Sequence, residues 1–202
     1  MIRNLVFDVG NVLLGYRTPE LMRETGVTDA QYEQIVQHVF ANPLWNELDR
    51  GVRPFAEVVE EMCAGIPDLR EKVFWLIDHS VHMKVDRPEV WERVQKLKEK
   101  GYRIYLLSNY AEPFYDTQFR DAPFMAWIDG AVISFRVHLL KPDPTIYREL
   151  TDRYGLRSDE CLFFDDLEAN VRAAALLGFE TFRVTSASGL IKKLDELLEA
   201  EL

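Results

Sequence analysis

Three apolar runs in this chain each end in groups that can do chemistry. They are Asp8 after "LVF", Ser108 and Asn109 after "IYLL", and Asp165 with Asp166 after "CLFF". Lys141, in "LLKPDP", adds an ammonium between the second and third. A carboxylate can attack phosphorus, and a divalent cation held by other carboxylates neutralises charge. A hydroxyl, backbone N–H groups and a lysine hold phosphoryl oxygens. Each group alone has an ordinary use. Asp8 can cap a turn, Ser108 can end a strand, Lys141 can sit solvated before Pro142, and Asp165 and Asp166 can cap the helix starting near Glu168. Joint occurrence, in one order and each at the end of an apolar run, favours a single site. Two adjacent acids after apolar residues also repel unless a cation or donors compensate.

Positioning such a set requires a parallel sheet, whose strand ends share one edge. Short apolar runs alternate with helix-length periodic segments, the pattern of an α/β fold. Strands are expected at Asn4–Phe7, Arg103–Leu107, Ala131–Ser134, Cys161–Phe164 and Thr181–Val184. Pro88 opens the helix "PEVWERVQKLKEK" and Gly101 closes it; Asp143 and Pro144 start "DPTIYREL". "EANVRAAALLG" ends at Gly178, and a last amphipathic helix begins near Gly189. Residues 16 to 86 show helical periodicity only, with a Thr28…Gln31 capping box in "TDAQYEQIVQHVF". The expected architecture is a Rossmann-like parallel core from 1–15 and 87–202, with a helical cap from 16–86 inserted after the first strand.

The 202 residues carry a formal net charge of -10, with 48% hydrophobic and 29% charged residues. That balance fits a globular chain with a real core and argues against a nucleic-acid partner, which calls for basic faces. No run approaches the ~20 apolar residues of a membrane helix. The chain opens on a strand pattern rather than a signal peptide, and the two cysteines, Cys63 and Cys161, read as reduced buried thiols. A cytoplasmic location is expected, with a small molecule as partner.

"FDVGNVL", "LLSN", "KPDP" and "FFDDLEANV" together resemble the four motifs of the haloacid dehalogenase-like hydrolases and span most of the chain. The resemblance implies a Rossmann-like core with a helical cap and a Mg²⁺-dependent phosphatase acting through an aspartyl-phosphate. It makes Asp8 the nucleophile and has Ser108 hold a phosphoryl oxygen, beside Asn109. Lys141 stabilises the nucleophile and the transferring group. Asp8, the Gly10 carbonyl and Asp166 ligate the metal, with Asp165 a ligand or a water-mediated partner. Gly10 departs from the pattern, since most phosphatases of this superfamily carry a second Asp there as general acid and base. The "DVGNV" form is similar to a bacterial subgroup that includes α-D-glucose-1-phosphate phosphatases, whose anomeric leaving group tolerates a missing acid. A steep dependence of rate on leaving-group pKa follows as an expectation. So does the idea that the loop at Gly10 requires glycine's freedom at positive φ.

"NPLWNELDRG" places Trp45 and Arg50 in the expected cap, where substrate contact competes with plain packing. The aromatic run Phe114, Tyr115, Phe119, Phe124 and Trp127 reads as packing, and the four histidines lack metal-ligand spacing. Three other readings compete with the phosphatase. Carbon–halogen hydrolysis also uses an Asp nucleophile without a second acid, but needs no metal. A receiver domain carries its paired acids first in the chain, not last. A non-catalytic binding or regulatory relative is the third.

Overall fold

The structure is a computed structural model that describes residues 1–201. Five parallel strands form the central sheet: β1 (Asn4–Phe7), β4 (Arg103–Ser108), β5 (Gly130–Ile133), β6 (Cys161–Asp165) and β7 (Glu180–Arg183), in the order β5-β4-β1-β6-β7. β1 is central, with Phe7 in register with Leu106 on one side and Phe164 on the other. This is the α/β, Rossmann-like core expected from the alternating pattern. β5 and β7 each begin and end one residue earlier than expected.

Strand periodicity divides the core between the two sheet faces. Leu5, Phe7, Ile104, Leu106, Leu162 and Phe164 face one apolar cluster, and Val6, Tyr105, Leu107 and Phe163 face the other. The helices Pro88–Lys100 and Ala187–Glu199 bury Val94, Leu97, Leu190 and Leu194 in the first cluster. The helix Pro144–Tyr154 buries Ile146, Tyr147 and Leu150 in the second. Phe7 and Phe164 stack at 4.6 Å between ring centroids, joining β1 to β6 just below the carboxyl edge of the sheet. Gly101 ends its helix at φ 114°, a backbone conformation only glycine adopts cheaply.

Between residues 18 and 82 every regular element is helical. The capping box forms, Gln31 N donating to Thr28 Oγ1 and Thr28 N to Gln31 Oε1. The helix it starts runs from Asp29 to Ile35 and passes into a π-helical stretch, Val36–Phe40. The segment hangs from a two-stranded antiparallel ribbon, β2 (Leu14–Tyr16) and β3 (Lys84–Asp86), at its base. This ribbon corrects the expectation of helical structure alone from 16 to 86. Its strands are three residues each, too short to show alternation. Buried residues of the helical segment, including Ile35, Val39, Leu48 and Val59, belong to the same apolar cluster as one sheet face. Cys63 and Cys161 are buried and unpaired. Among the described residues, no helix is long and apolar enough to cross a membrane.

Candidate active site

The parallel sheet brings Asp8, Ser108, Lys141, Asp165 and Asp166 to one edge. Asp8 follows β1 directly and its carboxylate is tightly held. Val9 N donates to Asp8 Oδ1 at 2.7 Å, Ser108 Oγ donates to the same oxygen at 2.6 Å, and Lys141 Nζ lies 3.1 Å away. Every contact of this set falls on Oδ1. Asp8 is 8% exposed, so it is not the exposed strand-end acid its position after β1 invites one to expect.

Lys141 bridges two acids, with Nζ also 2.6 Å from Asp165 Oδ2. Asp165, the last residue of β6, is fully buried and saturated. Leu167 N donates to Oδ1 at 2.8 Å, and Asn170 Nδ2 reaches both oxygens at 3.0 and 3.1 Å. Asp166 is more open, and its Oδ2 accepts from Asn11 Nδ2 at 3.0 Å. Asn109 spends its side chain on the loop rather than on the cavity alone: Nδ2 donates to Lys141 O and Oδ1 accepts from Lys141 N, both at 2.9 Å. It therefore positions Lys141.

Ligand oxygens of Asp8, Asp165 and Asp166 lie within 4.8 Å of one another. Three carboxylates facing one ammonium leave excess negative charge in a buried place, and an all-oxygen donor set suits a hard divalent cation. Asp8, Asp166 and Lys141 each feel this imbalance. Burial pushes Asp8 up to about 7 against the pull of Lys141, with Asp165 adding to the rise. Burial also raises Asp166, opposed by the Asn11 hydrogen bond. For Lys141, burial favours the neutral amine, but Asp8 and Asp165 outweigh it and hold the ammonium above its usual range.

Above this edge lies a cavity of about 560 Å³. Asp8, Gly10, Asn11 and Asp166 line its floor, and Tyr16, Phe40, Trp45, Tyr110 and Phe114 its walls. No lysine or arginine is among the lining residues.

The haloacid dehalogenase-like hydrolase model matches residues 2–178. The chain belongs to this family of hydrolases. A HAD-like family hydrolase from Porphyromonas gingivalis superposes over all of both chains at a TM-score of 0.77, with 25% identity. A HAD family enzyme from Bacteroides thetaiotaomicron, in complex with magnesium and inorganic phosphate, covers 91% of this chain and 94% of its own at a TM-score of 0.70, with 23% identity; that likeness is one of fold. Among curated proteins, (S)-2-haloacid dehalogenase 4A of Burkholderia cepacia is 28% identical over 97 residues, 48% of this chain. The chain spans 42% of the length of that dehalogenase, and 10% of mouse acyl-CoA dehydrogenase family member 10, which is 29% identical over 55% of this chain.

Within this hydrolase fold the two residues singled out in "NPLWNELDRG" separate. Trp45 begins a short helix, Trp45–Arg50, and lines the cavity, stacking on Phe114 at 5.8 Å and meeting Phe40 edge-on at 5.3 Å. Arg50 is exposed and does not line the cavity. Phe114, expected only to pack, does both.

Gly10 is not in the left-handed region; its neighbour Asn11 is, at φ 55°. Gly10 packs under a ring: a Cβ there would sit 3.4 Å from Tyr16 Cε2 and Oη, at van der Waals contact. The Tyr16 hydroxyl is hydrogen-bonded to that of Tyr110, which donates to Gln118 Oε1, and Gln118 Nε2 donates to Ser80 O at 3.1 Å. Tyr110 gives its only proton to Gln118, so Tyr16 is the donor in the pair. Asn11, Tyr16, Tyr110, Gln118 and Asn170 all shape the site and none was legible as part of it. Asp49 is another unforeseen group, and it lines the cavity from the same short helix as Trp45.

Proposed function

We propose that this hydrolase is a Mg²⁺-dependent phosphatase acting on a small phosphorylated metabolite, with a sugar 1-phosphate among the candidates. The observation that carries the reading is the cluster of Asp8, Asp165 and Asp166 around Lys141. Displacing halide from a haloacid requires no cation and would bring the substrate's own carboxylate against three acids. A phosphate ester bound with a cation turns the same acids into an asset. Magnesium, held by Asp8, the Gly10 carbonyl and Asp166, would neutralise phosphoryl charge. The magnesium and phosphate complex of the Bacteroides structure is consistent with that choice.

In this reading Asp8 attacks phosphorus through an oxygen kept from proton donors. Oδ1 carries the Val9, Ser108 and Lys141 contacts, which leaves Oδ2 as the nucleophile, and Oδ1 would share the cation once Ser108 turns to the substrate. Ser108 then turns its proton to a phosphoryl oxygen, and Lys141, clamped by Asn109 and oriented by Asp165, stabilises the equatorial charge. Asp165 acts by holding Lys141, since both of its oxygens are already engaged. The aromatic walls and the lack of a lining cation favour an uncharged leaving group with a face to stack.

The deciding assay offers the protein phosphate esters with Mg²⁺ and 2-haloacids without metal. Release of phosphate, and no halide, is expected. Halide release without metal would assign the dehalogenase reaction instead. Trp45→Ala should lower kcat/KM for a sugar phosphate by ~3–10-fold relative to a small phosphate ester, the loss of one stacking contact. Arg50→Ala should leave the ratio unchanged; equal effects of both substitutions on every ester would make Trp45 a packing residue only.

A further inference from the structure

We propose that Asp49, carried to the cavity by the helical segment, is the proton donor to the leaving group and the base for the attacking water. The inference rests on the phosphatase reading and supplies the acid that Gly10 lacks.

Elimination points to it first. Three carboxyl groups line the cavity: Asp8, Asp49 and Asp166. In the phosphatase reading Asp8 is the nucleophile and Asp166 would hold the cation, so neither is free to shuttle a proton. The tyrosine hydroxyls nearby are already committed, Tyr110 donating to Gln118 Oε1 and Tyr16 to the Tyr110 hydroxyl. Among the described residues, Asp49's side chain makes no hydrogen bond or ion pair, although its main chain does. An acid partly withdrawn from water without a partner is costly, and that cost finds a use only when a ligand fills the cavity.

Its position is also fixed from outside the helical segment. Ser134 Oγ, just past β5, donates to Asp49 O and accepts from Tyr110 N at 2.9 Å. The His138 ring Nδ1 lies 2.8 Å from Arg50 O. Gly51, at φ 66°, approaches Phe135 so closely that a Cβ would stand 3.0 Å from its main-chain oxygen. The helix carrying Asp49 is thus pinned to the one-turn helix after β5, Ser134–Val137, and its neighbour His138, and through Ser134 to the main chain of Tyr110, two residues past Ser108. That pinning gives a segment otherwise remote in sequence a set distance from the reacting atoms.

The protons balance over two steps. In the first, Asp8 Oδ2 bonds to phosphorus, the bond from phosphorus to the leaving oxygen breaks with its electron pair, and Asp49's carboxylic acid gives its proton to that oxygen. In the second, a water oxygen attacks the aspartyl-phosphate while Asp49's carboxylate takes the water's proton. The bond from phosphorus to Asp8 breaks, returning Asp8 as carboxylate, inorganic phosphate, and Asp49 protonated. Burial, reinforced by the charge of Asp8 and opposed by Lys141, holds Asp49 up to about 7, where a group can serve in both directions.

The test compares wild type, Asp49→Asn and Asp49→Ala on phosphate esters of graded leaving-group pKa. Wild type should show a shallow dependence of kcat/KM, contrary to the steep one that Gly10 alone implies. Both variants should fall by ~10²–10⁴-fold on alkyl esters while nearly keeping kcat/KM on a nitrophenyl ester, whose leaving group needs no proton. On that ester they should release a rapid burst of nitrophenol and then turn over slowly, because the second step lacks its base. Asp49→Glu should keep the shallow slope. A uniform fall across all esters, an unchanged slope, or loss of folding in both variants would overturn the assignment alone. Failure of the wild type to hydrolyse any ester with Mg²⁺ would overturn the phosphatase reading and this inference together.

Discussion

Asp8→Asn is expected to abolish turnover, by ~10⁴–10⁶-fold, while leaving a folded protein. The amide cannot form the bond to phosphorus, and no neighbouring group can take its place, because Asp165 is saturated by Lys141, Leu167 N and Asn170. The fold should survive for a reason visible in the contacts. An amide oxygen can still accept from Val9 N and Ser108 Oγ, and Lys141 keeps its shorter contact to Asp165. Removing a buried carboxylate whose protonation is pushed up also removes a charge that burial disfavours. The lost Lys141 contact and the relieved burial oppose each other, so the melting temperature should move by only a few degrees; ~1 kcal/mol is worth ~2–4 °C in a domain of this size. Steady-state hydrolysis and a melting curve check both halves. Beryllium fluoride should form its adduct on Asp8 and on no other acid. Turnover by Asp8→Asn at near wild-type rate would sink the aspartyl-phosphate mechanism.

The sheet and its reactive edge were legible because both rest on local signals. An apolar run ending in an acid marks a strand and its exit, and strand alternation assigns Leu5 and Phe7 to one face and Val6 to the other. The residues that orient the edge are harder to read. Asn170 supports Asp165 from one turn into the following helix, and Asn109 clamps Lys141 across 32 positions, so neither pairing has a spacing that sequence displays. The cavity walls are harder still. Tyr16, Tyr110 and Gln118 meet only when the β2–β3 ribbon and the turn after β4 are assembled. In sequence Arg50 stands out as a charge before the turn at Gly51, yet Asp49 turns inward and Arg50 outward. On a six-residue helix bounded by Leu44 and Gly51, a rotation of one residue exchanges cavity for solvent, and periodicity over so short a stretch cannot fix that phase. Gly10 was legible as a missing acid, but the packing of Tyr16 against it depends on the ribbon.

Removing the metal should have an effect as large as removing the nucleophile. After exhaustive chelation, ester hydrolysis should fall to background and return with Mg²⁺. Calcium, which takes more ligands at longer bonds, should occupy the site and inhibit. Binding can also be read without turnover, because a cation that binds only the folded state at ~100 times its dissociation constant adds ~2.7 kcal/mol. In a domain of this size that is a rise of ~5–10 °C in melting temperature. The rise should depend on pH with a definite sign. Burial, only partly opposed by Lys141, lifts the Asp8 carboxyl from 3.8 to about 7. The folded protein therefore holds a proton there that the unfolded chain releases earlier, and this contribution to stability is full below ~4 and lost by ~7. A cation reverses the balance by favouring the ionised carboxylate, so protons compete with it and its stabilisation should grow across the same window. Asp166→Asn should cut the shift sharply at every pH, since its carboxylate is more open than that of Asp165 and Asn11 already aligns it. An undiminished Mg²⁺ shift in Asp166→Asn would place the cation elsewhere. Full haloacid hydrolysis after chelation would show that the acid cluster serves a different chemistry.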